Sequence, residues 1–160
     1  MTIAVFPGTF DPITVGHVDI AVRARKLFDE VILGVAHNSS KTPLLDAQAR
    51  LDAASAAVAP LDGVRVELID GLLAQFCEKR GVDVIVKGLR GGADYDAELP
   101  MALMNRSLTG IESVFIVGDS ALSHVASSLV RDVARHGGDI TAYVPTGVAA
   151  VVADALSGRS

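Results

Sequence analysis

Apolar runs and amphipathic segments alternate regularly along this chain of 160 residues. The apolar runs are short, rich in β-branched residues and almost continuous, which is typical of parallel strands covered on both faces. They predict strands at residues 3–6, 31–36, 64–69, 84–86 and 114–117. Between and after them, apolar residues at helical spacing predict helices at 17–28, 46–59, 72–80, 95–108, 127–136 and 147–156.

Residues at the ends of these segments agree with the assignment. Asp46 is a good helix N-cap, Pro60 ends the second helix, and Gly81 and Gly137 stand where a helix C-terminus favours glycine. Alternating βα units predict an α/β fold: one Rossmann-like, doubly wound domain over residues 1–160, with helices on both faces of the sheet. We expect a five-stranded parallel sheet in the order 3-2-1-4-5, which makes strands 1 and 4 neighbours at the switch point.

Composition narrows the class of protein. Half of the residues are apolar and about a fifth are charged, as in a globular domain. The net charge of −5 argues against a protein that coats nucleic acid or an anionic membrane. No apolar run is long enough to span a membrane, no secretory leader is visible, and Cys77 is the single cysteine. We therefore expect a cytoplasmic protein in which Cys77 is a core residue.

Ligands of such sheets bind at the carboxyl ends of the strands beside the switch point. We therefore expect a ligand to bind at the loop 7–17 after strand 1 and the loop 87–94 after strand 4. Gly16 and His17 fall where a helix begins, so free backbone N–H groups and an imidazole face the first loop. Three basic residues, with Arg131 as a possible fourth, follow other strands and indicate a polyanionic ligand: Lys41, Lys87 and Arg90.

Several common sites are missing from the sequence. It has no P-loop motif, no G-x-G-x-x-G after strand 1, and no cysteine and histidine spacing typical of zinc. Asp94, Asp96 and Glu98 are expected to occupy the first turn of the next helix, where negative charge is favourable, and not to bind a metal.

The first loop carries a more specific signal. Its sequence, Pro-Gly-Thr-Phe-Asp-Pro-Ile-Thr-Val-Gly-His, contains a T-x-G-H form of the nucleotidyltransferase signature. Together with Lys87-Gly88-Leu89-Arg90, Met104-Asn105-Arg106 and Ser127-Ser128-Leu129-Val130-Arg131, it closely resembles the phosphopantetheine adenylyltransferases over essentially the whole chain.

The resemblance implies a set of site residues. His17 would stabilise the transition state, with Lys41 and Arg90 as further catalytic residues. Residues implied to bind ATP are Thr9, Phe10, His17, Gly88, Leu89, Arg90, Glu98, Leu122, Ser123, His124, Val125, Ala126, Ser127 and Ser128. Residues implied to bind phosphopantetheine are Thr9, Lys41, Leu73 and Lys87.

The resemblance also implies a reaction. ATP and 4′-phosphopantetheine would give dephospho-coenzyme A and pyrophosphate, with Mg²⁺ on the ATP phosphates and a homohexamer as the assembly. Two alternatives stay open: a related nucleotidyltransferase that uses nicotinamide mononucleotide or glycerol 3-phosphate as the acceptor, and a regulator that binds nucleotide without catalysis.

The sequence departs from the family's pattern at a few positions. Lys87 stands where many relatives have arginine, Ala126 replaces the first of three serines, and His124 stands where an aromatic residue is common. Pro100 is unusual near Glu98 and is compatible with its helix only if it lies in the first turn.

Overall fold

A computed structural model describes residues 1–37 and 42–158 of the chain. Its strands are β1 (Ile3–Gly8), β2 (Glu30–His37), β3 (Val64–Asp70), β4 (Val84–Leu89) and β5 (Glu112–Val117). Its α-helices are α1 (Val15–Arg25), α2 (Ala47–Val58), α3 (Leu73–Arg80), α4 (Gly92–Thr109), α5 (Ser127–Arg135) and α6 (Val148–Ser157). A short 3₁₀ helix, Ser120–Leu122, precedes α5.

The strands form one parallel sheet in the order β3-β2-β1-β4-β5, which confirms the predicted order. Successive residues of a strand point to opposite faces. Ala4 and Phe6 accordingly belong to the larger core, under α1, α2, α5 and α6, whereas Val5 belongs to the smaller core with Phe76 of α3. Both faces of the central strands are therefore buried, as their continuous apolarity predicted.

Local signals at the helix ends are also confirmed. The Asp46 carboxylate accepts a hydrogen bond from the Ala49 N–H at 2.8 Å, so it caps α2. Gly81 and Gly137 have φ of 63° and 78°, in the left-handed region that favours glycine. Cys77 is fully buried, and burial raises the pKa of its thiol to about 11, as expected for a core residue and not a nucleophile.

Two boundaries near the predicted site differ from the sequence expectation. Strand β4 continues to Leu89, so Lys87 lies within a strand and not in a loop. Helix α4 begins at Gly92, three residues earlier than predicted, and places Pro100 in its interior. The condition for Pro100, a place in the first turn of its helix, is therefore not met. Pro100 is exposed, and α4 continues past it to Thr109.

Strand β1 separates early from β4. It pairs with β2 over six residues but with β4 only at Ala4 and Val5. Beyond these pairs the carboxyl ends of the two strands share no ladder, although β4 still pairs with β5 as far as Leu89. The gap opens at the topological switch point, where doubly wound sheets bind their ligands.

Gly88 allows α1 to pack closely on β4 beside this gap. A Cβ atom at this position would lie 2.7 Å from Cγ1 of Ile20, which is much closer than a normal contact. Gly92, in contrast, has open space around its Cα. The glycine at 88 is therefore a packing requirement as well as part of a predicted ligand loop.

We expect Gly88→Ala to lower the free energy of unfolding by about 1–3 kcal/mol, because the added methyl group overpacks the α1–β4 contact. The double variant with Ile20→Ala should be less destabilised than the sum of the two single changes. Urea unfolding measures these values, with Gly92→Ala as the matched control. Additive effects of the two changes would contradict the contact.

Candidate active site

A cavity of about 500 Å³ lies at the carboxyl ends of the strands, beside the gap between β1 and β4. Most of the predicted site residues line it: Thr9, Phe10, His17, Lys87, Gly88, Leu89, Arg90, Glu98, Leu122, Val125, Ala126, Ser127 and Ser128. Five elements thus contribute to one concave surface, as expected for a ligand site in this fold.

Some predicted residues lie elsewhere. Leu73 is the first residue of α3 and packs against the smaller core. Ser123 and His124 are exposed and do not line the cavity, and the His124 ring contacts Tyr143 at 5.9 Å between centroids. Lys41 falls outside the described residues. The roles inferred for these four residues stay predictions.

His17 is held by a reciprocal cap at the start of α1. Thr14 is the N-cap, and its hydroxyl accepts a hydrogen bond from the His17 backbone N–H at 3.3 Å. In return, the Thr14 backbone N–H donates to Nδ1 of His17 at 2.9 Å. A histidine thus takes the place that glutamate or glutamine has in a capping box.

This cap fixes the tautomer of the imidazole. Because Nδ1 accepts a hydrogen bond from a backbone N–H, the proton of the neutral ring must lie on Nε2. Burial, together with a smaller effect of the positive charge of Arg90, lowers the pKa of His17 to about 4. At neutral pH His17 is therefore an uncharged imidazole that can donate one hydrogen bond into the cavity, from Nε2–H.

The loop before α1 is fixed by hydrogen bonds with two other segments, residues 44–45 and helix α5. Both carboxylate oxygens of the buried Asp11 accept backbone N–H bonds at 2.9 Å, from Leu44 and Leu45. Arg131 of α5 donates to the Asp11 carbonyl at 2.7 Å, and the hydroxyl of Ser127 donates to the Pro12 carbonyl at 2.8 Å. The loop therefore has a defined shape before any ligand binds.

Two basic side chains of the cavity are paired with acidic residues of α4. Nζ of Lys87 lies 3.0 Å from a carboxylate oxygen of Glu98. Arg90 makes a two-pronged contact with Asp94, through Nε at 3.1 Å and Nη2 at 3.0 Å. Burial favours the neutral form of Asp94, but its hydrogen bonds with Arg90 outweigh this effect and lower its pKa.

The N-terminus of α5 has no side-chain cap. Ala126 occupies the N-cap position and has no polar atom to accept a bond from the first N–H groups, whereas the Ser127 hydroxyl is used on Pro12. Ala126, Ser127 and Ser128 all line the cavity. The uncapped N–H groups and the positive end of the helix dipole make this helix start suitable for an anion.

Several residues that shape the site were not predicted from the sequence. Asp11 and Thr14 lie inside the recognised loop, but nothing in the pattern showed their partners. Asp19 lines the cavity, and its carboxylate accepts the Asp119 backbone N–H at 2.9 Å. Arg50 of α2 also lines the cavity and is 2% exposed; an arginine on the helical stripe of residues 46–59 was the only sequence signal for it.

Across residues 1–37 and 42–158, no group of three or more histidine, cysteine, aspartate or glutamate side chains is arranged to hold a metal ion. None of the helices in these ranges has the length and apolarity needed to span a bilayer.

Comparison with known proteins gives a consistent result. Residues 5–133 match the profile of the family described as cytidylyltransferase-like. The phosphopantetheine adenylyltransferase of Bifidobacterium longum is 50% identical over 98% of this chain and 96% of its own length. The phosphopantetheine adenylyltransferase of Cutibacterium acnes is 46% identical, over 89% of this chain and 90% of its own. The chain belongs to the phosphopantetheine adenylyltransferase family.

Solved structures support the fold of this phosphopantetheine adenylyltransferase family member. A Vibrio parahaemolyticus protein, described provisionally as a nicotinate-nucleotide adenylyltransferase, superposes with a TM-score of 0.69. It covers 99% of this chain and 93% of its own, at 20% sequence identity. A lipopolysaccharide core biosynthesis protein of Thermoplasma volcanium gives a TM-score of 0.53 over 74% of this chain, at 24% identity. At these identities the likeness concerns the fold alone.

The lowered pKa of His17 predicts a pH-dependent loss of stability. The unfolded chain binds this proton near pH 6.5 and the folded chain only near pH 4, so stability falls as the pH falls through that window. Between pH 7 and 4.5 the contribution of His17 amounts to about 2 kcal/mol. Urea unfolding at both pH values should show a smaller loss for His17→Gln, in which the amide oxygen can still accept the Thr14 N–H, than for wild type.

His136, an exposed residue at the end of α5, supplies the control variant His136→Gln. It should lose as much stability as wild type over the same pH interval. If His17→Gln behaved like this control, the imidazole would not be the group whose neutral form the fold prefers.

Proposed function

We propose that this protein transfers the adenylyl group of ATP to 4′-phosphopantetheine, giving dephospho-coenzyme A and pyrophosphate in coenzyme A biosynthesis. The observation that carries the proposal is the fixed Nε2–H donor of His17 in a cavity lined with cations, within a chain about half identical to phosphopantetheine adenylyltransferases. We also propose that it acts in the cytoplasm, where its substrate ATP is available.

The reaction needs no general base. An oxygen of the acceptor phosphate is already ionised near neutral pH, and it attacks the α-phosphorus of ATP as the bond to the β-phosphate oxygen breaks. Catalysis then consists of holding two anions in line and stabilising charge on the five-coordinate phosphorus. In this scheme Nε2–H of His17 donates to an α-phosphate oxygen, and it does so as a neutral group.

The cations divide between the two substrates. Lys41 and Lys87 would hold the phosphate of phosphopantetheine, together with Leu73 on the pantetheine arm. Arg90, with the uncapped start of α5 at Ser127 and Ser128, would hold the pyrophosphate end of ATP. Because Lys87 and Arg90 are already paired with Glu98 and Asp94, bound phosphates must displace or share these carboxylates.

The rest of the ATP site follows the same resemblance. We propose that Thr9 and Phe10 contact the phosphates and that Glu98 contributes to the nucleotide pocket. The adenine would lie along the segment before α5, formed by Leu122, Ser123, His124, Val125 and Ala126. All of these residues except Ser123 and His124 line the cavity, which supports the assignment.

We propose that Mg²⁺ enters with ATP, held mainly by phosphate oxygens and water. The acidic side chains of the cavity already have basic or backbone partners, since Asp19 bonds Arg23, Asp94 bonds Arg90 and Glu98 pairs with Lys87. Such carboxylates suit an ion that arrives bound to its substrate better than a resident one.

We propose a homohexamer as the assembly. Helix α4 supports it, because its outer face carries large apolar side chains that are more than half exposed in one chain: Met101, Leu103, Met104 and Leu108.

The activity is tested by incubating the protein with ATP, Mg²⁺ and one acceptor at a time, and following pyrophosphate release and the mass of the product. We expect product with 4′-phosphopantetheine and none with nicotinamide mononucleotide or glycerol 3-phosphate. Product with either of the other acceptors would reassign Lys41 and Lys87. ATP binding without turnover of any acceptor would make the protein a nucleotide-binding regulator.

His17 variants test the proposed donor. His17→Ala removes the Nε2–H group and should lower kcat by about 10²- to 10³-fold, as loss of an oxyanion donor does. His17→Gln keeps a cap on Thr14 and an N–H that can reach the phosphate, so its loss should be clearly smaller. Steady-state kinetics with saturating ATP measures both, with His136→Gln as the control. Near-normal turnover by His17→Ala would remove His17 from the mechanism.

A further inference from the structure

Arg50 is a buried cation that none of the roles above uses. Its side chain leaves α2 and is 2% exposed. Nε donates to the Leu45 carbonyl at 3.1 Å, and Nη1 donates to the carbonyls of Thr9 at 2.9 Å and Ala36 at 2.8 Å. Among the described residues it forms no ion pair with a carboxylate. A charged group buried on neutral carbonyls alone is unusual, because burial without a counter-charge is costly.

Part of the Arg50 guanidinium has no hydrogen-bond partner among the described residues. Its three hydrogen bonds come from Nε and Nη1, so Nη2 donates to none of the described residues. Within those residues, Ser113 Oγ is the one fully enclosed side-chain polar atom that lacks a partner. Nη2 is therefore not fully enclosed, and Arg50 lines the cavity. An anion bound there would supply the missing counter-charge.

The Thr9 carbonyl that Arg50 holds belongs to a constrained peptide. Phe10, the next residue, has φ of 51°, a left-handed conformation that is uncommon for a bulky residue. Such a conformation costs on the order of 1–3 kcal/mol and persists only where its surroundings impose it. The Phe10 ring is packed edge-on to Phe6 and His17, with centroids at 5.5 and 4.9 Å, and Arg50 fixes the carbonyl on its other side.

The fixed carbonyl also sets the direction of an N–H group. The Thr9–Phe10 peptide is trans, so the Phe10 N–H points away from the Thr9 carbonyl and from Arg50 Nη1. The Phe10 N–H donates to no acceptor among the described residues. A backbone donor without a partner, beside His17 in a cavity for phosphates, is available to a ligand oxygen.

We propose that Arg50 is a positioning residue for adenylyl transfer. It holds the Thr9–Phe10 peptide in its strained conformation, so that the Phe10 N–H meets a phosphate oxygen of bound ATP, and its free Nη2 places positive charge on the same side of the cavity. This inference rests on the proposed function for the identity of the ligand, and on the structure for the geometry of the peptide.

Arg25 offers a matched control, since it also clamps backbone carbonyls, of Asp62 at 2.9 Å and Phe28 at 3.1 Å, but does not line the cavity. We expect Arg50→Met to lower kcat by about 10²-fold, at the lower end of the range for a lost oxyanion donor. Arg50→Lys keeps the charge and one donor and should recover most of that loss. Arg25→Met should keep kcat within about twofold of wild type even where its Tm is lower.

Hydrogen exchange of the Phe10 amide separates positioning from a structural role. ATP should slow this exchange in wild type and in Arg25→Met by about tenfold, and should leave it unchanged in Arg50→Met. Equal kcat in Arg50→Met and Arg25→Met, or ATP protection of Phe10 that survives Arg50→Met, would overturn the proposal. If Arg50→Met does not fold, Arg50→Gln gives the same decision. If ATP slows exchange of the Phe10 amide in wild type but wild type does not turn over phosphopantetheine, only the assignment of the acceptor is wrong.

Discussion

Strands β1 and β4 lie side by side for only two residue pairs before they separate, and the site depends on the space that this opens. Both strands keep full ladders with their outer neighbours, so the separation costs little of the sheet's pairing. The start of α1, with His17, and the carboxyl end of β4, with Lys87, both line the cavity beside the gap. Gly88 permits this, because any Cβ there would collide with Ile20 of α1.

The Thr14–His17 cap uses one set of hydrogen bonds for two purposes. As a cap it satisfies donors at the start of α1, which stabilises the helix. As a constraint on the imidazole it places the proton on Nε2 and turns that nitrogen toward the cavity. Burial of the ring is the main reason that its pKa falls to about 4, and this keeps the imidazole a neutral donor. The consequence is that the folded protein loses stability in acid. Stability and chemistry are therefore coupled at a single side chain.

Much of the fold could be predicted because its signals are local. Continuous apolar runs indicate strands buried on both faces, and caps such as Asp46 mark helix ends. Residues that line the cavity were predicted where a motif is contiguous, as in the loop that ends at His17. They were not predicted where the lining depends on distant contacts: Arg50 donates to Thr9 across 41 positions of sequence, and no periodicity indicates such a pair. The length of β4 was missed because Lys87 and Gly88 are poor strand formers that pairing with β5 holds in place.

The acidic residues of α4 explain how an acidic protein can hold cations in place for the phosphates proposed as ligands. Isolated basic side chains in the cavity would repel one another and adopt many rotamers. Glu98 and Asp94 hold Lys87 and Arg90 in place before substrate arrives, and partly exposed pairs of this kind contribute only about 0–1 kcal/mol each. A phosphate group carries more charge than a carboxylate and offers more acceptor oxygens, so it can displace them at small cost. The same argument does not apply to Arg50, whose partners are neutral carbonyls: its position is fixed by the fold, and only its free nitrogen remains for a ligand.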